Sequence, residues 1–211
     1  MGCPSGKKSG TAEVFAFVSL EETKAFFTGC CRGERCCCKQ SAYSSEKWRQ
    51  SDFLDLAEML RDPEVMYAYE HDFSAAEVQS WLDRQINRYR TDGFGLWAIV
   101  SRQTGQMMGQ AGLTWQPVMD SRVLEVGYLL KKKFWHQGYA REAAGACLAY
   151  AFEKLNRDRV YAMIKADNEA SKRVARSLGM RKEKTFWTHY YSGERLHELF
   201  CIDREQKITR I

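Results

Sequence analysis

"KKKFWHQGYAREAAG", Lys131 to Gly145, decides how this chain is read. Three lysines lead into two aromatics and a lone glycine, and an alanine-rich run follows. Upstream, "RVLEVGYLL" (Arg122 to Leu130) has the apolar, β-branched content of a strand. Downstream, Ala140, Ala143, Ala144, Cys147, Leu148, Ala151, Phe152 and Leu155 recur at three- and four-residue spacing and predict a helix. Small side chains in its first turns let it approach a sheet closely. A strand, a glycine turn and a helix start leave backbone amides without intrahelical partners, and the helix dipole adds partial positive charge there. A phosphate fits such a terminus. A solvated loop before an amphipathic helix fits the same residues, and the stretch alone does not separate the two. It lacks the Gly-Lys-Ser/Thr ending of a Walker loop and the three-glycine dinucleotide fingerprint.

Working outward, "SDFLDLAEMLRD" opens on Ser51 and Asp52 as caps and stops at Pro63. "SAAEVQSWLDRQINRYRTDG" is a second helix, capped by Ser74 and ended by Gly93. "GLWAIVS" (Gly95 to Ser101) and "QMMGQAGLTW" (Gln106 to Trp115) read as a hairpin. "RVYAMIKA" is a strand and "NEASKRVARSLGM" a short helix capped by Asn168. "EKTFWTHYY" and "RLHELFCID" close the chain as a last hairpin. This order predicts an α/β fold, a mixed sheet with helices on both faces. Residues 1–45 differ from the rest and read as a Cys-rich, partly disordered extension to a domain over 46–211. "EVFAFVS" (Glu13 to Ser19) is its one strand-like run, whereas "SAYSSE" before Lys47 has no strand pattern.

The 211 residues suffice for one full domain. A net charge of +5 suits a polyanionic small ligand, and no basic tract or zinc-finger spacing points to direct nucleic-acid binding. No run reaches the ~20 apolar residues of a membrane span. A signal peptide and the myristoylation pattern are both missing, so a cytoplasmic protein is expected. Six of eight cysteines fall in the first 38 residues, five of them in "CCRGERCCC". Their adjacency does not match zinc spacing, and no metal site is expected.

"GYLLKKKFWHQGYAREA" resembles the acetyl-CoA-binding motif of the GNAT N-acetyltransferases. That pattern is Gln or Arg, two residues, Gly, one residue, then Gly or Ala. Gly138, Tyr139 and Ala140 match its second half, and Trp135 stands where Gln or Arg is usual. With "RDPEVM" before it and "NEASKRVARSLGM" after it, residues 47 to 205 resemble the ribosomal-protein N-terminal (alanine) acetyltransferase branch. The resemblance implies a sheet splayed at the cofactor site and acetyl-CoA as cosubstrate. The pantothenate arm would pair with backbone at Tyr128, Leu129 and Leu130. Amides of Trp135, His136, Gln137, Gly138, Tyr139, Ala140 and Arg141 would hold the pyrophosphate, and Asn168 would bond the pantetheine. The implied acceptor is a primary amine, a protein N-terminus ahead of a polyamine or aminoglycoside-like amine. A non-catalytic acyl-CoA-binding module is the other alternative, and either a monomer or a homodimer is compatible.

An amine attacks only when neutral, and α-amino groups have a pKa of roughly 8, so a general base is useful. Glu125 shares a strand face with Val123, Gly127 and Leu129, where burial raises a carboxyl pKa. A structural carboxylate bonded to backbone or arginine fits that position equally. His189, just before the last turn, is near where branch relatives can carry a catalytic glutamate, and His197, Glu198 and Tyr191 are weaker candidates. Ser171 matches a serine of that branch implied to assist thiolate departure. The commoner tyrosine acid is replaced by Ala175.

Overall fold

The computed structural model describes residues 42–191 and 193–208. "EVFAFVS" and the cysteine cluster lie outside the described residues. The elements are β1 (Tyr43–Glu46), α1 (Phe53–Leu60), α2 (Ala75–Thr91), β2 (Leu96–Ser101), β3 (Met107–Val118) and β4 (Ser121–Leu130). They continue with α3 (Tyr139–Glu153), β5 (Arg159–Lys165), α4 (Glu169–Ser177), β6 (Arg181–Tyr190), β7 (Gly193–Asp203) and α5 (Arg204–Ile208). The strands form one sheet in the order β1-β2-β3-β4-β5-β7-β6. Every neighbouring pair is antiparallel except β4 with β5. Among the described residues no helix is long and apolar enough to cross a membrane.

β1 corrects the expectation for "SAYSSE". Serine has little strand propensity, but Tyr43 through Glu46 pair in register with Ser101 through Ala98. Tyr43 is 1% exposed, and its ring meets Tyr139 edge-on. Arg102 Nε donates to the Tyr43 carbonyl at 2.9 Å. Edge pairing and one buried aromatic therefore override local preference.

α2 begins as its sequence requires. Ser74 accepts from the Glu77 amide while Glu77 reaches back to the Ser74 amide, a reciprocal capping box. Strand alternation then sorts the two faces. Trp97 points to α3, where its ring meets Tyr150 at 5.5 Å. Leu96 lies toward α2, whose Tyr89 hydroxyl donates to the Leu96 carbonyl and whose Gln85 accepts from its amide. Gly109 is fixed by close packing, because a Cβ there would lie 2.3 Å from the Leu129 carbonyl oxygen.

The decisive departure from a regular sheet is between β4 and β5. Their only register pair is Glu125 with Tyr161. Beyond it the strands diverge, and the Glu125 side chain bonds the Met163 amide instead. A wedge opens through the sheet.

The lysines at the end of β4 anchor this frame. Lys131 is 4% exposed, and its Nζ lies 2.9 Å from Asp55 Oδ1 and 2.6 Å from Glu58 Oε2 on α1. Lys132 pairs with Glu64, and the Lys133 ammonium lies 5.3 Å from the Phe134 ring centroid. Lys131→Met should lower stability by about 1–2 kcal/mol, a limited loss because Asp55 and Glu58 are half exposed and rehydrate. Calorimetric Tm at low and high salt checks this. A salt-independent wild-type advantage would contradict the ion-pair account.

Candidate active site

The wedge is a cavity of about 590 Å³ that runs between the two faces of the sheet. One limb is bounded by Tyr128, Leu129 and Leu130 of β4, by Trp135, His136 and Gly138 to Arg141 of the turn, and by Asn168 and Ser171 at the start of α4. The other is bounded by Trp81, Arg84, Gln85 and Arg88 of α2, with Gln110, Thr114 and Gln116 of β3. Glu125 lies between them, and Thr188, Tyr191 and His197 come from the last hairpin.

The first limb ends at the N-terminus of α3. Gly138 caps α3 with φ +87°, a left-handed conformation natural to glycine. A Cβ built there meets nothing within 4 Å, so the position faces open space. His136 is also left-handed, at φ +58°. These two positive-φ residues lie just before the first amides of α3. The helix supplies them with no internal acceptor. The donor set fits a pyrophosphate.

Trp135 serves this turn differently from the expectation. Its amide donates to the Lys132 carbonyl at 3.0 Å, and its indole Nε1 donates to the Leu130 carbonyl at 2.8 Å. It fixes the turn to the strand end, and its amide is not available to a phosphate. Gln137 is exposed, with Nε2 on the Lys133 carbonyl, and its side chain is outside the cavity. Lys131 and Lys132 are committed to carboxylates, so the lysines flank the cradle without entering it.

Along the wall of this limb, β4 from Val126 to Leu130 has no strand partner on its β5 side among the described residues. An extended amide-bearing arm can add there as a strand. Asn168 Oδ1 accepts from the Ser171 amide at 3.0 Å and caps α4, which leaves its amide nitrogen for a ligand. The Tyr128 hydroxyl donates to the Ser171 carbonyl at 3.1 Å, locking α4 against β4. Ala175 is fully buried.

Glu125 is bonded to the backbone of β5 and to a side chain of β3. Oε1 accepts from the Met163 amide at 3.3 Å and Oε2 from Thr114 Oγ1 at 3.4 Å. Gln116 Nε2 donates to the same threonine oxygen at 3.0 Å, which orients the pair. Burial pushes the carboxyl up to about 7, against the pull of those bonds and the nearby Arg88 charge. His189 is not brought to the site. β6 turns Thr188 into the cavity and leaves His189 exposed on the opposite side. The histidine that lines the cavity is His197, 5% exposed, with burial lowering its pKa.

Residues 46–181 match the family model described as an acetyltransferase (GNAT) domain. The chain belongs to the GNAT acetyltransferase family. Like its relatives it is an acetyl-CoA-dependent acyltransferase. It is 34% identical over 127 residues to the uncharacterized protein YkkB of Bacillus subtilis strain 168, covering 60% of this chain and 74% of that one. Among solved GNAT folds it is similar to a ribosomal-protein-S5-alanine acetyltransferase from Vibrio fischeri (TM-score 0.65, 18% identity, 80% of this chain and 96% of that one). It is similar also to a spermidine N-acetyltransferase from Vibrio cholerae (TM-score 0.66, 14% identity, 80% and 99%), a structure that contains CoA and spermine. Acetyl-CoA is the cosubstrate, and the amide cradle and open strand edge described above fit it.

Sequence reasoning missed the α2 wall. Val78, Trp81, Leu82, Gln85 and Tyr89 form the buried stripe of that helix. A glutamine within an apolar stripe was the available signal, and Arg84 and Arg88 flank it.

Proposed function

We propose that this GNAT enzyme is a cytoplasmic N-terminal acetyltransferase whose acceptor is the α-amino group of a protein. The supporting observation is Glu125, a half-buried carboxyl that lines the cavity and is held by the Met163 amide and Thr114, with burial raising its pKa to about 7. A base poised near neutrality suits an α-amino group of pKa ~8 better than a lysine ammonium of pKa ~10.4. Likeness to a ribosomal-protein-S5-alanine acetyltransferase agrees with this reading.

When bound, acetyl-CoA supplies the acetyl group as a thioester. Glu125 accepts a proton from the incoming ammonium, directly or through one water. Tyr128 holds Ser171 beside the pantetheine limb, where the serine hydroxyl donates toward the departing sulfur. Ser171→Ala should lower kcat about tenfold with little change in the KM for acetyl-CoA. An increase in KM alone would give Ser171 a binding role instead.

Thiol release from acetyl-CoA with a panel of peptides, spermidine and an aminoglycoside tests the acceptor, with mass spectrometry locating the acetyl group. CoA binding without thiol release from any amine would leave a non-catalytic binding module.

A further inference from the structure

The acceptor limb has an unbalanced charge. Glu125 is the sole acid among the described residues that line the cavity, and Arg84 and Arg88 stand on its α2 wall. Among the described residues neither arginine has a carboxylate within ion-pair distance, whereas Lys165 on the β5 wall pairs with Glu70 and Asp167.

Arg88 is held in place. Its Nη1 donates to Gln85 Oε1 at 3.1 Å, and the same oxygen accepts from the Leu96 amide at 3.4 Å. Gln85 is 1% exposed, so the guanidinium is fixed by a buried residue bound to the sheet. Arg88 is itself half-buried, and burial together with the like charge of Arg84 disfavours its charged form. A guanidinium carries five donors in a planar fork suited to a carboxylate, and Gln85 engages only one nitrogen. Arg84 lies over the Trp81 ring at 5.4 Å and bonds Tyr191 at the mouth of the limb.

We infer that Arg88, with Arg84 at the rim, makes the acceptor site select protein N-termini that carry an acidic first or second residue. This rests on the N-terminal reading above and names the substrate class of that same site. The reacting nitrogen faces Glu125, and the adjacent carboxylate meets the Arg88 fork. A polyamine would set its second ammonium against two guanidinium groups, a like-charge contact that costs affinity.

The test uses the full chain, acetyl-CoA and synthetic peptides that differ only at the second residue, Glu, Gln or Lys, with spermidine alongside. The expected kcat/KM favours Glu over Lys by roughly tenfold to a hundredfold, the size of a charge-assisted bond. Arg88→Leu should reduce that ratio to within about threefold, and Arg88→Glu should invert it. Arg84→Glu, at an exposed position, should reduce the ratio even if the Arg88 variants fold poorly, and CoA binding by calorimetry verifies each fold. Peptide turnover with no acidic preference, or a ratio that survives Arg88→Glu, overturns the inference while the N-terminal reading stands. Turnover of spermidine without any peptide overturns both.

Discussion

Glu125→Gln is expected to lower kcat by on the order of a hundredfold to ten-thousandfold, the usual range for loss of a general base. CoA affinity should hold, because the cradle lies on the other limb. The pH profile separates a base from a structural carboxylate. In the wild type, activity is lost as pH falls through about 7, where the carboxyl takes up its proton and ceases to accept one. A second limb near 8 belongs to the α-amine acceptor itself. The glutamine variant should retain only the upper limb. A variant whose profile still bends near 7 would place the base elsewhere.

Stability moves in the opposite direction. The folded carboxyl has a raised pKa, so its contribution is fully present below the unfolded value and is lost as pH rises toward the folded value of about 7. Glutamine carries no such penalty. Glu125→Gln should therefore be more stable than the wild type at pH 8, by up to about 3 kcal/mol, with the gap closing below pH ~4.5. Denaturant melts at the two pH values measure this. Equal stabilities at both would mean that water reaches the carboxyl freely. The pattern of a faster enzyme and a weaker fold is common where active sites bury charge.

Gly138→Glu should raise the Kd for CoA by at least about a hundredfold, since two effects act together. The residue sits at φ +87°, which costs a non-glycine residue about 1–2 kcal/mol. Its new carboxylate would also project into the open space in front of the α3 amides, repelling the phosphates those amides serve. Gly138→Ala separates the terms, because it keeps the backbone strain and removes the charge. Alanine should weaken CoA by about tenfold and cost a few degrees of Tm. Calorimetric titration of CoA into each variant gives the comparison. Unaltered CoA affinity in Gly138→Glu would show that the cradle is misplaced.

The alternation of helices and strands, the capped start at Ser74 and the glycine turn at Gly138 were all legible in the chain, since each depends on residues near one another. The same holds for the alanine stripe of α3, whose spacing is helical whatever it packs against. The last hairpin was visible as two runs about a turn. Its facing was not: a strand has two sides, and only pairing with β7 determines that Thr188 enters the cavity while His189 leaves it. β1 was hidden for a related reason. Its serines signal nothing locally, and its strand exists through pairing with β2 and burial of Tyr43 beneath α3.

By itself the sequence determined the family and the local shape of the turn before α3, because a strand, a left-handed glycine and a helix N-terminus are consecutive and need no distant partner. The tertiary structure decided the rest. The fate of the three lysines, the second role of Trp135, the ionisation of Glu125 and the α2 wall of Gln85 and Arg88 all depend on groups far apart in the chain. Burial and charge are properties of a three-dimensional neighbourhood, and the divergence of β4 from β5 creates the one around Glu125.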